Sequence, residues 1–172
     1  MSEIIIRKLN KNDAKALIEY SKYIGGESNN LTFGEEGFQI SLEDEKGYIE
    51  SVNSSERSIM LGAFVCDELI ADGSLHAHAR RMSHRAELGI SVRKPYWNMG
   101  IGKKLMLELI GFAKECGIEL IDLQVLEINK AAIHLYESFG FEIIGKIPAF
   151  FKIGDEYFDA IAMCLDIRKR MN

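Results

Sequence analysis

Residues 86–117 read AELGISVRKPYWNMGIGKKLMLELIGFAKECG, and this stretch decides the fold. The apolar run Leu88-Gly89-Ile90-Ser91-Val92 predicts a buried strand. A proline-marked turn and the corner Gly100-Ile101-Gly102 follow, then a helix with Ile101, Leu105, Leu109, Phe112 and Cys116 along it. Strand, glycine corner and helix start together leave free backbone N–H groups aimed at a phosphate. Glycine suits such a corner because a side chain would hold a phosphate away from the backbone. Lys103 and Lys104 add positive charge beside it. The corner is expected to cradle the pyrophosphate of a nucleotide-containing cofactor; a plain structural turn is the alternative.

Spacing narrows the cofactor. A dinucleotide fingerprint needs a third glycine three residues after Gly102, where Leu105 stands. A P-loop needs Gly-Lys-Ser/Thr, but Gly102-Lys103 is followed by Lys104, and the first glycine of that motif would fall at Trp97.

Beyond Gly117, Leu120 to Val125 predicts a second strand. Asn129 can cap a short helix carrying Ala132, Leu135, Tyr136 and Phe139, and Gly140 ends it. The series VRKPYWNMGIGKKL followed by LQVLEINKAAIHLYESFGF resembles the GNAT family of acetyl-CoA-dependent N-acetyltransferases, closely from Glu87 to Gly145 and more loosely on the flanks. Three separated pieces agree in order: the Gly-x-Gly corner, the Asn-x-x-Ala…Leu-Tyr helix and the Gly-Phe strand start. The family signature has Gln or Arg where this chain has Trp97, a departure that bears on the loop rather than on backbone contacts to phosphate.

The resemblance implies acetyl-CoA as cofactor and direct transfer in a ternary complex to a primary amine of a small molecule, polyamine or peptide; a non-catalytic acyl-CoA-binding sensor on the same fold is the alternative. The resemblance also implies that backbone groups around Ile90, Ser91 and Val92 pair with the pantetheine arm like an added strand. Asn98, Met99, Gly100, Ile101, Gly102 and Lys103 form the expected pyrophosphate loop, with the amides from Met99 onward making the contacts. Asn129 is expected to touch the cofactor arm, although capping its helix would be reason enough for it.

Acetyl transfer needs a neutral amine, a polarised thioester carbonyl and a proton for the departing thiolate. Deprotonating a lysine-like amine of pKa about 10.4 at pH 7 costs roughly 4.6 kcal/mol, and an α-amine near 8 only about 1.4. A positioned carboxylate helps with that step. Glu87, at the start of the central strand where the family often has a glutamate, is the candidate base; a solvated strand-end residue is the alternative. Tyr136 is the candidate acid, since the resemblance sets the tyrosine of the Leu-Tyr pair near the sulfur; a core tyrosine is its alternative. His76 and His78 alternate on one strand face, but with no third ligand at suitable spacing, no metal site is expected. Trp97 could cover the mouth of the groove or pack the turn. Phe33, Phe150 and Phe151 are expected in loops flanking the acceptor.

Length and composition frame the rest. The chain has 172 residues, 47% of them hydrophobic, which suits one domain over 1–172. A net charge of −5 argues against a nucleic-acid surface, and Arg168-Lys169-Arg170 reads as a solvated end. No stretch approaches the roughly 18–20 apolar residues that span a bilayer, and MSEIIIRKLN has no basic region before an apolar one, so neither membrane nor signal peptide is expected. Cys66, Cys116 and Cys164 are expected to be buried reduced thiols. These features point to the cytoplasm; dimers are common in the family, so a homodimer is compatible.

Taken in order, the chain predicts a strand near Ile4 to Leu9 and a helix from Asn10 carrying Leu17, Ile18 and Ile24. A loop is expected from Gly25 to Gly34, then a helix from about Glu36 to Val52 with Phe38, Leu42 and Ile49 inward and Glu43, Asp44 and Glu45 solvated. A strand from Ser58 to Cys66, a turn at Asp67-Glu68 and a strand from Leu69 to Ala77 bulged at Asp72-Gly73 follow. Strands at Phe141 to Lys146 and Tyr157 to Leu165, separated by a loop around Pro148 and Gly154, close the chain. The order β-α-α-β-β-β-α-β-α-β-β gives an α/β (α+β) fold: a mixed, mostly antiparallel sheet of about six to seven strands, helices on both faces and a central βαβ unit for the cofactor. The loops 25–33 and 147–155 are expected to shape the acceptor pocket, and Glu27, Glu35 and Glu36 tilt it toward a cationic amine.

Overall fold

A computed structural model describes residues 3–170, with side chains to Arg168. Seven strands, β1 (Ile5–Lys8), β2 (Ile59–Val65), β3 (Glu68–Ala77), β4 (Arg85–Val92), β5 (Leu120–Leu126), β6 (Glu142–Ile153) and β7 (Glu156–Asp166), form one sheet in the order β1-β2-β3-β4-β5-β7-β6. Only β4 and β5 run parallel. Four helices, α1 (Ala14–Glu27), α2 (Leu42–Ser54), α3 (Ile101–Glu115) and α4 (Lys130–Ser138), cover its two faces. This is the expected class, with β4-α3-β5 as the central βαβ unit.

Two cores result. On one face Leu105, Met106 and Leu109 of α3 pack over Leu75, Leu88, Ile121 and Met163; on the other Leu17 and Tyr20 of α1 meet Ile49 of α2 and Met60 and Phe64 of β2. Strand alternation makes both possible: Leu61, Ala63 and Leu75 face α3, while Met60 and Phe64 face α1 and α2.

Several boundaries differ from expectation, each for a long-range reason. α1 runs through Gly25 and Gly26 to Glu27, and a Cβ on Gly25 would stand 1.8 Å from the Gly34 carbonyl oxygen. Only glycine lets the returning loop lie on the helix there. α2 begins after Ser41, whose hydroxyl accepts the Asp44 amide at 3.1 Å. Phe38 therefore precedes the helix, Leu42 is exposed, and Glu45 is buried rather than solvated, its carboxyl pushed up by desolvation. The β2–β3 turn is Cys66-Asp67, both at positive φ, because Val65 pairs with Glu68 and leaves two residues. Cys66 is thus exposed, not buried; Cys116 and Cys164 are half-buried. The bulge lies on β3 at Ile70, the extra residue between Ala71, which pairs with Ala63, and Leu69, which pairs with Phe64, while Asp72 and Gly73 stay in register with Gly62 and Leu61. β6 continues through Pro148 to Ile153, so Phe150 and Phe151 belong to a strand. Of the C-terminal basic run, Arg168 pairs with Asp166 at 2.8 Å; the side chains of Lys169 and Arg170 lie outside the described residues.

Candidate active site

β4 and β5 pair only from Arg85↔Leu120 to Glu87↔Asp122, although β4 continues to Val92 and β5 to Leu126. The strands splay beyond that point, and Leu88 to Val92 and Gln124 to Leu126 become the walls of one groove of about 620 Å³. On the opposite side β4 stays paired with β3 to Val92, and the Arg93 amide donates to Ile70. Backbone groups alternate along a strand, so those of Leu88, Ile90 and Val92 point into the splay and those of Gly89 and Ser91 point to β3. Two of the three residues expected to offer backbone groups are so oriented. Ser91 instead turns its hydroxyl to Tyr20, at 2.8 Å, and to the Asp72 carboxylate.

The groove ends at the start of α3. Gly100 sits at φ 77°, a conformation that favours glycine, and no side chain caps the helix. The Lys104 amide donates to the Gly100 carbonyl, so the amides just before it are those that an α-helix leaves without an internal acceptor. Asn98, at φ 62°, also lines the groove with Gly100, Ile101, Gly102 and the exposed Lys103. A Cβ on Gly102 would press Leu135 of α4 at 3.3 Å, so both glycines of the corner have backbone or packing reasons. The Met99 side chain is exposed, away from the groove wall. An anion at this helix start meets amide donors, the positive end of the helix dipole and one lysine. A thioester arm along β4 with a pyrophosphate at this corner fits these residues.

Trp97 takes a definite role. Its indole N–H donates to the Val92 carbonyl at 2.7 Å, while the ring lies at the groove and is 42% exposed. It pins the loop back onto the end of β4 and at the same time occupies that carbonyl. Glu27 is similarly committed: its carboxylate holds Arg93 at 3.1 Å and the Lys94 amide at 2.7 Å. Glu36 accepts the Gly34 amide at 2.9 Å. Neither carboxylate is the free anion that a cationic acceptor would need.

Glu87 and Tyr136 both line the groove. Glu87 is exposed on the face of α1 and α2, and among the described residues no hydrogen bond ties its carboxylate. Directly across the β3–β4 ladder stands His76, whose Nε2 lies 3.3 Å from the Tyr48 hydroxyl. Burial pulls the His76 imidazole below its ordinary pKa against the opposing pull of Glu87, which keeps it neutral near pH 7. Tyr136, on α4, is 7% exposed, and burial pushes its phenol up to about 12. It keeps its proton across the physiological range. Because a thiol is the stronger acid, full transfer to a thiolate is uphill; the phenol would act by hydrogen-bonding the sulfur as charge builds on it while the C–S bond breaks. Asn129 caps α4, its Oδ1 accepting the Ala132 amide at 3.2 Å, and also lines the groove. His78 follows the end of β3, and no group of three potential metal ligands occurs among the described residues.

The carboxylate that sequence reading missed is Asp72. It is half-buried on the α1 face of β3, against Ser91 and Tyr20, and desolvation raises its pKa to about 6. Its signal was a lone acid inside the apolar run LIADG, where an unpaired charge is rare.

A second cavity of about 480 Å³ opens beside the groove, lined from one side by Leu31, Thr32 and Phe33 and from the other by Phe150 and Phe151. The loop after α1 and the β6–β7 hairpin, expected to shape the acceptor pocket, do meet there.

Comparison with known proteins agrees with this geometry. The model of the acetyltransferase (GNAT) family matches residues 28–141. The L-amino acid N-acetyltransferase AaaT of Escherichia coli is 28% identical over 95% of this chain and 98% of its own length. The crystal structure of a GNAT-family acetyltransferase from Streptococcus pneumoniae superposes with a TM-score of 0.92 at 28% identity, covering 96% of this chain and 100% of that one. The yncA acetyltransferase of Salmonella typhimurium, solved with acetyl-CoA, shares the fold at a TM-score of 0.83 and 19% identity over 95% of this chain and 94% of its own.

Proposed function

The chain belongs to the acetyltransferase (GNAT) family and is an acetyl-CoA-dependent N-acetyltransferase; from that premise we propose that it acetylates the primary amine of a small α-amino acid by direct attack in a ternary complex. The observation that carries the reading is the splayed β4–β5 pair ending on an uncapped helix start, with an acid and a base candidate along one groove. Amide donors around Gly100 to Lys103 hold the pyrophosphate, and the Leu88, Ile90 and Val92 backbone lines the pantetheine arm. Bound there, acetyl-CoA supplies an activated thioester carbonyl.

Glu87 takes one proton of the incoming ammonium, directly or through water, and passes it to solvent. As the C–N bond forms and the C–S bond breaks, Tyr136 would give its phenolic proton to sulfur and regain one, the nitrogen's second proton. The α-amine of a free amino acid, raised by its own carboxylate above the value of about 8 for a chain terminus, costs between about 1.4 and about 4.6 kcal/mol to deprotonate at pH 7, less than a lysine-like amine. The α-amino acid class is drawn from the similarity to the Escherichia coli enzyme along nearly its whole length. The reaction is placed in the cytoplasm, where acetyl-CoA is made and used; no described helix is long and apolar enough to cross a membrane.

Thiol release measured over a panel of amines tests this. Turnover of α-amino acids above polyamines and peptide N-termini is expected. Turnover confined to peptide N-termini or polyamines would overturn the substrate class.

A further inference from the structure

We propose that the cavity between the α1–α2 loop and β6 is an aromatic subsite that selects acceptor amines carrying an aromatic or large apolar side chain. The inference rests on the acetyltransferase reading above and specifies its acceptor.

The β6–β7 ladder is the first observation. Ile147 pairs with Ala160 and Phe151 with Phe158, so residues 148–150 oppose Asp159 alone. Pro148 has no N–H to lose from the ladder, and Ala149 takes a positive φ of 48°, which an alanine rarely adopts. Asp159 holds this conformation: its carboxylate accepts the Ala149 amide at 2.8 Å and pairs with Lys146 at 3.1 Å. Bulges re-aim side chains and are common beside active sites.

Here the re-aimed side chain is Phe150. In a regular strand consecutive residues point to opposite faces. Phe150 and Phe151 instead stack, with centroids 5.2 Å apart and planes 29° apart, and both line the cavity and the cofactor groove. The opposing wall is Phe33, wedged against Phe38 edge-to-face at 5.0 Å. Leu31 and Ile153 extend the apolar wall, while Ser28, Asn29 and Thr32 line the cavity's polar side.

Charged occupants are poorly served. Glu36 is turned to the Gly34 amide, and Lys152 lies 5.4 Å over the Tyr157 ring. No carboxylate in the cavity is free to bind a second cationic group, which counts against polyamines. A strained backbone segment held by two partners, presenting two stacked rings to a shared cavity, is explained by a ring or branched chain seated against them. Its amine then lies toward Glu87, whose groove shares Phe33, Phe150 and Phe151 with the cavity.

The test uses the full chain with two readouts: acetyl transfer followed by thiol release, and calorimetric binding of the amine to protein saturated with CoA. L-Phenylalanine and L-leucine are compared with glycine and L-serine, which share the α-carboxylate, and with putrescine. Burial of a large apolar side chain is expected to raise kcat/KM by about 10- to 100-fold over glycine and serine, chiefly through KM, with the same order in binding. Phe33→Ala should remove most of that preference, read as the ratio of kcat/KM for L-phenylalanine to that for glycine. The exposed-site variant Phe150→Ser should do the same with little risk to folding, and Asp159→Asn should weaken the preference by releasing the bulge. Equal kcat/KM and equal affinity across the three side-chain classes, or a preference for putrescine, would overturn the subsite proposal while leaving the acetyltransferase reading intact. Loss of turnover with every amine, together with no binding of acetyl-CoA, would instead defeat the reading on which it rests.

Discussion

Replacing Asp72 by asparagine tests how the wall of the groove is built. The half-buried carboxyl sits with Ser91 and Tyr20, and desolvation lifts its pKa from an ordinary 3.8 to about 6. Below pH 4 the group is protonated whether the chain is folded or not, and it costs nothing. Between pH 4 and pH 6 the folded form holds a proton that the unfolded chain has released, so stability falls as pH rises. Above pH 6 the folded protein carries the whole cost. The gap of about two pH units, at 1.36 kcal/mol each, is worth about 3 kcal/mol. Asparagine keeps an oxygen for the Ser91 hydroxyl and has no charge to desolvate. Stability of Asp72→Asn relative to the wild type should therefore rise by about 3 kcal/mol between pH 4 and pH 7.5. For a chain of this size that corresponds to roughly 6–12 °C in relative Tm. Urea denaturation at both pH values, followed by far-UV circular dichroism, measures it. Parallel stability curves for the two proteins would refute the reasoning.

Other outcomes follow from the same geometry. Tyr136→Phe should lower kcat by about 10²-fold with little change in acetyl-CoA affinity, since general acids contribute on that scale; pre-steady-state kinetics that show unchanged chemistry would remove its role as acid. Because burial holds Tyr136 near 12, the alkaline limb of the rate profile below pH 10 should not move in that variant. Glu87→Gln should shift the kcat/KM profile toward alkaline pH, where the free amine no longer needs a base; an unmoved profile discards Glu87. Gly25→Ala forces a Cβ to within 1.8 Å of the Gly34 carbonyl oxygen, so thermal denaturation should show a loss of about 1–3 kcal/mol and kinetics a raised acceptor KM. Trp97→Phe deletes the bond to the Val92 carbonyl and should raise the KM for acetyl-CoA more than that for the acceptor.

Much of this molecule could be read directly from local chemistry. The Gly100-Ile101-Gly102 corner, the α3 stripe of Leu105 and Leu109, and the Asn129 cap each depend on a few neighbouring residues, and sequence periodicity exposes them. The seven strands and four helices followed in their order. What escaped depends on contacts between distant segments. Gly25 and Gly26 read as loop residues until Gly34 is packed against them. Glu45 reads as one of three solvated acids, although the turn it occupies faces inward. Pro148 and Gly154 read as a single loop because proline and glycine punctuate sequence; only the β7 register reveals a strand with a bulge between them. Asp72 carries the clearest lesson. Its place beside Gly73 suggested a bulge, whereas its isolation in an apolar run marked a half-buried carboxylate that Ser91 and Tyr20 satisfy.

The central claim is that the groove from Glu87 to Lys103 binds acetyl-CoA. A thermal melt with and without excess acetyl-CoA, with NAD and ATP as controls, tests it most directly. Ligand at about 100 times its Kd should add about 2.7 kcal/mol, or roughly 5–10 °C for a chain of this length. A shift of that size with acetyl-CoA alone is the predicted result; an unchanged melt under saturating acetyl-CoA, or an equal shift with NAD or ATP, would contradict the account.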